Sequence, residues 1–338
     1  MSDSFCLDAL SRLPHGGRIR QAAARYGIAL EAWLDLSTGI NPNGWRVPQL
    51  PASTWSRLPE DEDELQDAAR TYYGTGSLLA VAGTQAAIQA LPLLRAPCRA
   101  GVLYPGYTEH AYAWRRAGHE VVAVRAEQVA DAVSGLDVLV LTHPNNPTGA
   151  RFPPSRLLDW HLNLCAHGGW LVLDEAFIDA TPAESLAAYC PRPGLVVLRS
   201  LGKFFGLAGA RVGFVLASDS LLRQLRAALG PWSVAGPSRW VAIQALRDRA
   251  WHRSARTRLV AESGRLQTLF EQLESVHQDG CALFRWMVTQ RAVRLHDRLA
   301  RRGILTRVFT DPPGLRLGLP GSESAWERLE TALKEVGA

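Results

Sequence analysis

Between residues 78 and 218 the chain alternates short, continuously apolar runs with stretches of helical pattern, and this alternation limits the fold more than any other feature. The runs are LLAVAG, GVLYPG, EVVAVRA, DVLVLT, WLVLDEA, LVVLRS and RVGFVLAS, with helical segments such as 84–95, 109–117 and 155–167 between them. A strand that is apolar at nearly every position suits burial on both faces, whereas a half-exposed strand alternates. The pattern therefore predicts a large, mostly parallel sheet flanked by helices. After residue 218 the texture changes to amphipathic helices over 235–248 and 250–276. A smaller α/β part follows, with CALFRWMVT and ILTRVF as strands and with helices over 291–302 and 324–336. The expected organisation is a large domain over 46–225, a small C-terminal domain over 226–338, and a segment 1–45 packed on the small domain or across the cleft. A chain of 338 residues has room for such a pair of cores.

Composition excludes several functions. No stretch offers the roughly 20 apolar residues of a membrane helix. The start, MSDSFCLDAL, puts acids where a secretory signal needs a basic region and an apolar block, so a cytoplasmic protein is expected. Cys6, Cys98, Cys165, Cys190 and Cys281 are scattered and never take the paired spacing of a zinc or redox motif, so no metal site is expected. The net charge of +5 comes from Arg interspersed with acids, not from the one-sided basic stripe of a nucleic-acid binder. A modest cationic surplus suits a small anionic substrate.

Of the 37 basic residues, 35 are Arg, and the only lysines are Lys203 and Lys334. Lys203 sits in RSLGKFFGLAGAR, a Gly- and Phe-rich turn after a strand. A lysine amine among apolar groups and near other cations loses its proton more easily and becomes a nucleophile toward carbonyls. Arginine stays protonated and cannot replace it. Ser200 and Arg211 flank this amine and could grip a phosphate.

Three further strand ends carry polar groups. Gly83, Thr84 and Gln85 open a helix, where unpaired N–H groups can hold an anion; the same residues also suit an ordinary cap. HPNNPTG forms a rigid turn after DVLVLT and presents Asn146. Asp174 and Glu175 close an apolar strand, where a carboxylate needs a cation or a strong donor. It could be a salt bridge to a nearby Arg, or an anion that keeps a proton on a ligand nitrogen.

The series GTQ, NNPTG, DEAF and S-x-x-K-x-F-x-L-A-G-x-R resembles the fold-type I pyridoxal-5′-phosphate enzymes, in particular the histidinol-phosphate aminotransferase-like branch. The resemblance implies that Lys203 joins the cofactor and that Asp174 pairs with its ring nitrogen. It also implies that Asn146 bonds the 3′-oxygen, that Tyr107 stacks on the ring, and that Gly83, Thr84, Gln85, Ser200 and Arg211 bind the phosphate. Arg316, in GLRLGLP, matches the arginine for the substrate carboxylate; without the family it reads as a strand residue. The branch often has Tyr where this chain has Phe177, and a Tyr-Pro pair from the partner subunit where this chain has Arg57-Leu58-Pro59.

His15-Gly16-Gly17 and the segment DLSTGINP are similar to the threonine-phosphate decarboxylases of cobalamin biosynthesis. That similarity implies a small phosphorylated amino acid as substrate, a homodimer, and a substrate side of the cleft lined by His15, Gly16, Gly17, Gly39 and Ile40 with Arg316. It also makes Phe177 a subfamily trait. The same cofactor residues serve an aminotransferase for histidinol phosphate or an aromatic amino acid, and a cofactor-binding protein without catalysis is a further alternative. Serine phosphate is a possible substrate, since a pocket separates one methyl group only weakly.

Overall fold

All seven apolar runs become strands of one sheet. The computed structural model describes residues 15–271 and 277–337. Cys6 and the end of the helical pattern at 272–276 lie outside the described residues.

The chain opens with α1 (Ile19–Tyr26), β1 (Leu34–Asp35), α2 (Ser53–Ser56) and α3 (Leu65–Tyr73). The large domain continues through β2 (Leu78–Val81), α4 (Thr84–Ala90), β3 (Arg99–Leu103), α5 (Thr108–Arg116), β4 (Glu120–Val124) and α6 (Val129–Ala132). Next come β5 (Val138–Thr142), α7 (Pro154–Cys165), β6 (Trp170–Asp174), β7 (Leu195–Ser200), β8 (Gly213–Leu216) and α8 (Asp219–Leu229). Helices α9 (Gly236–Arg247) and α10 (Arg249–Glu271) lead into β9 (His277–Cys281), β10 (Phe284–Val288) and α11 (Ala292–Ala300). The chain closes with β11 (Ile304–Leu305), β12 (Arg307–Thr310), β13 (Pro313–Gly318) and α12 (Glu323–Gly337).

The large sheet has the order β2-β8-β7-β6-β5-β3-β4, parallel except for β8, which runs against both of its neighbours. Alternate residues feed two separate cores. Leu139, Leu141, Leu171, Leu173 and Val197 join one cluster, whereas Val138, Val140, Val172, Val196 and Leu198 join the other. This is the two-sided burial that the unbroken apolar runs predict. Each fully buried Leu or Val side chain contributes about 1.5–3 kcal/mol, so the strand ends are set on a rigid frame.

The small domain carries an antiparallel sheet of order β12-β13-β10-β9. CALFRWMVT, expected as one strand, holds β10 over Phe284–Val288, while its first residues are the end of β9 and the turn that joins the two antiparallel strands. ILTRVF is also divided. Ile304 and Leu305 pair with β1, while the chain from Arg307 onward pairs with β13, so Thr306 marks a change of sheet. The N-terminal segment is stitched to the small domain through Leu36, whose N–H donates to Leu305 and whose carbonyl accepts from Gly318. No helix among the described residues is long and apolar enough to cross a membrane.

Candidate active site

The C-terminal ends of β2, β3, β5, β6 and β7 share one rim, where open α/β sheets bind ligands. The loop from Leu201 to Val212 leaves this rim at β7 and returns to it at β8, closed by the Ser200–Gly213 register and a Leu201 N–H to Val212 carbonyl bond of 3.1 Å. It carries Lys203. The neighbouring rings of Phe204 and Phe205 are fully buried, and the Lys203 Nζ lies 5.3 Å from the centre of the Phe177 ring. Burial, reinforced by the Arg316 charge and opposed by Asp174, lowers the amine to about 8. A nucleophilic, neutral amine is therefore accessible near neutral pH.

The two carboxylates that close β6 have different fates, because successive strand residues point to opposite faces. Asp174 accepts a 3.0 Å bond involving His110 Nε2 and a 3.2 Å bond from the Ala176 N–H. Glu175 turns the other way, to Arg199 at 3.2 Å, and Asp179 also binds that guanidinium. The salt-bridge expectation thus applies to Glu175, and Asp174 stays on the side of Lys203 and Tyr107, on both of which its charge acts.

Gly83, with φ of 72°, is the N-cap of α4, and Thr84 is the first helical residue, not the cap. A Cβ on Gly83 would lie 2.7 Å from the Arg211 guanidinium, so only glycine lets that side chain lie against the turn. Arg211 is itself left-handed, with φ of 53°, a conformation that costs a non-glycine residue about 1–2 kcal/mol. The Ser200 hydroxyl is at the end of β7 and accepts from Gly202 N–H at 3.1 Å. The Gln85 side chain is engaged elsewhere: its amide NH2 donates to Glu109 at 2.7 Å and its oxygen accepts from the Tyr107 hydroxyl at 3.2 Å. What remains is guanidinium, hydroxyls and helix-start N–H groups, a donor set matched to a phosphate. Together with a desolvated lysine and a buried carboxylate, this cradle fits pyridoxal 5′-phosphate.

Beside Lys203 lies a cavity of about 270 Å³. Asn146, Tyr107 and Arg316 line it with Lys203, and His15, Gly16 and Ile40 bring the N-terminal segment to its wall. Gly17 and Gly39 are not lining residues. Gly17 donates its N–H to the Ser37 hydroxyl at 2.7 Å, and Gly39, with φ of 62°, lets the chain pass under Phe284 and Phe177.

Arg316 is fully enclosed and meets only neutral acceptors. Its guanidinium donates to the Asn146 side-chain oxygen and to the Ser37 carbonyl at 2.6 Å, and its Nε has no hydrogen-bond partner. Burial and then the nearby Arg307 push it down to about 10. Arg307 faces Arg316 across the β12–β13 register and also lines the cavity. Like charges directly opposite one another destabilise a sheet, and a bound anion removes that penalty.

Sequence reasoning missed His110, Glu109 and Arg307. His110 had a usable signal, since it stands three residues after Tyr107 at the start of a helix and so shares its side of the turn. For Arg307 the signal was strand alternation with Phe309, which also lines the cavity.

The chain matches the family model described as aminotransferase class I and II over residues 51–333. It is 55% identical over 321 residues to the threonine-phosphate decarboxylase of Pseudomonas aeruginosa, covering 95% of this chain and 97% of that one. It is 40% identical to a threonine-phosphate decarboxylase of a Sinorhizobium species, covering 95% and 98%. Among solved structures, histidinol-phosphate aminotransferase from Sinorhizobium meliloti in complex with pyridoxal-5′-phosphate aligns with a TM-score of 0.83 and 19% identity, over 99% of this chain and 98% of that one. That likeness shows a shared fold. A sheet rim bearing one buried lysine, and a family match that runs over most of the chain, agree: this chain belongs to the aminotransferase class I and II family and has the fold-type I architecture.

Proposed function

We propose that this chain decarboxylates L-threonine O-3-phosphate with pyridoxal 5′-phosphate as cofactor, giving carbon dioxide and (R)-1-aminopropan-2-yl phosphate for cobalamin biosynthesis. The observation that carries this reading is the 55% identity to a threonine-phosphate decarboxylase along 95% of the chain. The cavity supports it, because Arg316, Arg307 and His15 line one space beside Lys203 and suit a substrate with two anionic ends.

When bound, the cofactor supplies an aldehyde that joins an amine and a ring that takes up the electron pair set free at the substrate Cα. Lys203 offers its amine from a desolvated setting. Asp174, oriented by His110 and the Ala176 N–H, holds a proton on the ring nitrogen. Gly83, Thr84, Ser200 and Arg211, with the backbone of Gln85, would hold the phosphate, Asn146 would bond the 3′-oxygen, and Tyr107 would lie against the ring. Arg316 fixes the substrate carboxylate and Arg307 with His15 receives the phosphate end, so that the carboxylate carbon is the group to leave. Lys203 returns a proton to Cα after carbon dioxide departs.

The division into a segment 1–45 and domains 46–225 and 226–338 belongs to the same proposal. So does a cytoplasmic homodimer: Trp55, Leu58 and Trp232 are large apolar side chains exposed on or near α2 and the start of α9, which pack together. The deciding experiment incubates the purified, cofactor-loaded protein with L-threonine O-3-phosphate and measures carbon dioxide. Release of carbon dioxide with retention of the aldehyde form of the cofactor is expected. A keto acid formed without carbon dioxide would overturn the assignment in favour of an aminotransferase.

A further inference from the structure

Glu109 is a carboxylate beside a cavity lined by cations, and it touches neither Lys203 nor either arginine there. A negative charge in that place opposes an anionic substrate, so its presence calls for a cause. Its side chain is 12% exposed and stands in the first turn of α5. The two oxygens are used in different directions: Oε1 meets His15 Nε2 at 2.8 Å, and Oε2 accepts from Gln85 Nε2 at 2.7 Å. One carboxylate thus ties the N-terminal segment to a residue 94 positions away and, through Gln85, to the Tyr107 hydroxyl.

The segment it holds forms part of the cavity wall, since His15 and Gly16 both line the space. A second anchor lies just beyond, where Gly17 N–H meets the Ser37 hydroxyl. Gly16 passes so close to the Ser37 carbonyl that a Cβ there would overlap it. The turn is therefore pinned on one side by Ser37 and on the other by Glu109. His15 is 38% exposed, and besides Glu109 its ring meets the Tyr107 ring, with centroids 6.1 Å apart.

We propose that Glu109 is a positioning residue that clamps the 15–17 turn over the cavity and so sets the affinity for the phosphate end of the substrate. This rests on the cavity being the substrate site. Glu109 acts on substrate only through His15 and Gly16, and its replacement shifts binding more than turnover.

The test uses the cofactor-loaded full chain and three variants, Glu109→Gln, His15→Ala and the double variant. A glutamine at 109 keeps the shape but removes the charge, so the tie to His15 is no longer charge-assisted and survives only with the imidazole neutral and its proton on Nδ1. Glu109→Gln is expected to raise KM for L-threonine O-3-phosphate about tenfold and to lower kcat less than about threefold. In the His15→Ala background the same change is expected to alter KM less than about twofold, since the two residues act as one unit. Hydrogen exchange of the amides at 16 and 17 is expected to quicken about tenfold in Glu109→Gln, with the cofactor absorbance unchanged. Additive effects in the double variant, a loss confined to kcat, or unaltered exchange would each overturn the proposal. If the parent releases no carbon dioxide from this substrate, the proposed activity fails, while the exchange measurement still decides whether Glu109 holds the turn.

Discussion

Arg199 and Arg316 are buried almost equally, at 3% and 4% exposure, and sit in opposite electrostatic surroundings. Arg199 has two carboxylates against it, Glu175 and Asp179, with the Ser185 hydroxyl completing the group. Burial works to lower its pKa, but Asp179 and Glu175 outweigh that and raise it. Among the described residues Arg316 has no carboxylate within salt-bridge distance, only two neutral oxygens, and a second arginine opposite it in the sheet. An arginine with counter-charges is balanced in charge, even though the Arg199 Nε, like that of Arg316, has no hydrogen-bond partner. One without them keeps its electrostatic demand for whatever enters the cavity.

Two substitutions and one pH measurement press on this contrast. Arg199→Met leaves two carboxylates buried without their cation and is expected to cost ~3–5 kcal/mol of stability, read from urea unfolding of the cofactor-free protein. Arg316→Met removes a charge that no carboxylate balances, so the same unfolding curve is expected to stay in place or move to higher urea. Its loss falls on activity instead: kcat/KM drops about 100-fold, or ~2.7 kcal/mol of transition-state stabilisation. If Arg316→Met unfolds as easily as Arg199→Met, the distinction between the two arginines is lost. The smallest effect concerns pH. Uptake of pyridoxal 5′-phosphate by the cofactor-free protein, followed by absorbance, is expected to increase as pH rises through about 8, because the neutral fraction of the Lys203 amine grows as its proton leaves. In Arg316→Met that midpoint moves upward, since a repelling charge has been removed. A downward move would show that Arg316 does not press on Lys203.

The same contrast explains what could be read from the chain before its fold was known. Strand positions were legible because burial on both faces leaves unbroken apolar runs such as VLVL and LVVL. Lys203 was legible because lysine is so scarce and because the reason to keep one is chemical. Arg316 was not legible on physical grounds alone: GLRLGLP does not reveal that its guanidinium meets two neutral acceptors from distant segments. Glu175 and Asp174 were seen together, but only the fold separates the ion-paired carboxylate from the one that meets His110. Glu109 escaped notice because its importance comes from contacts with residues far along the chain. The breaks at Ala282 and Thr306 went unforeseen for a related reason: apolar pattern marks burial, and it is silent about which neighbouring strand does the burying.

The reversed direction of β8 has one more consequence. Because β7 and β8 are adjacent and antiparallel, Lys203 and Arg211 belong to a single closed stirrup whose two feet are bolted together by the sheet ladder. The spacing between the Lys203 amine and the Arg211 guanidinium is thus fixed within one loop and its own ladder, and owes nothing to segments far away along the chain.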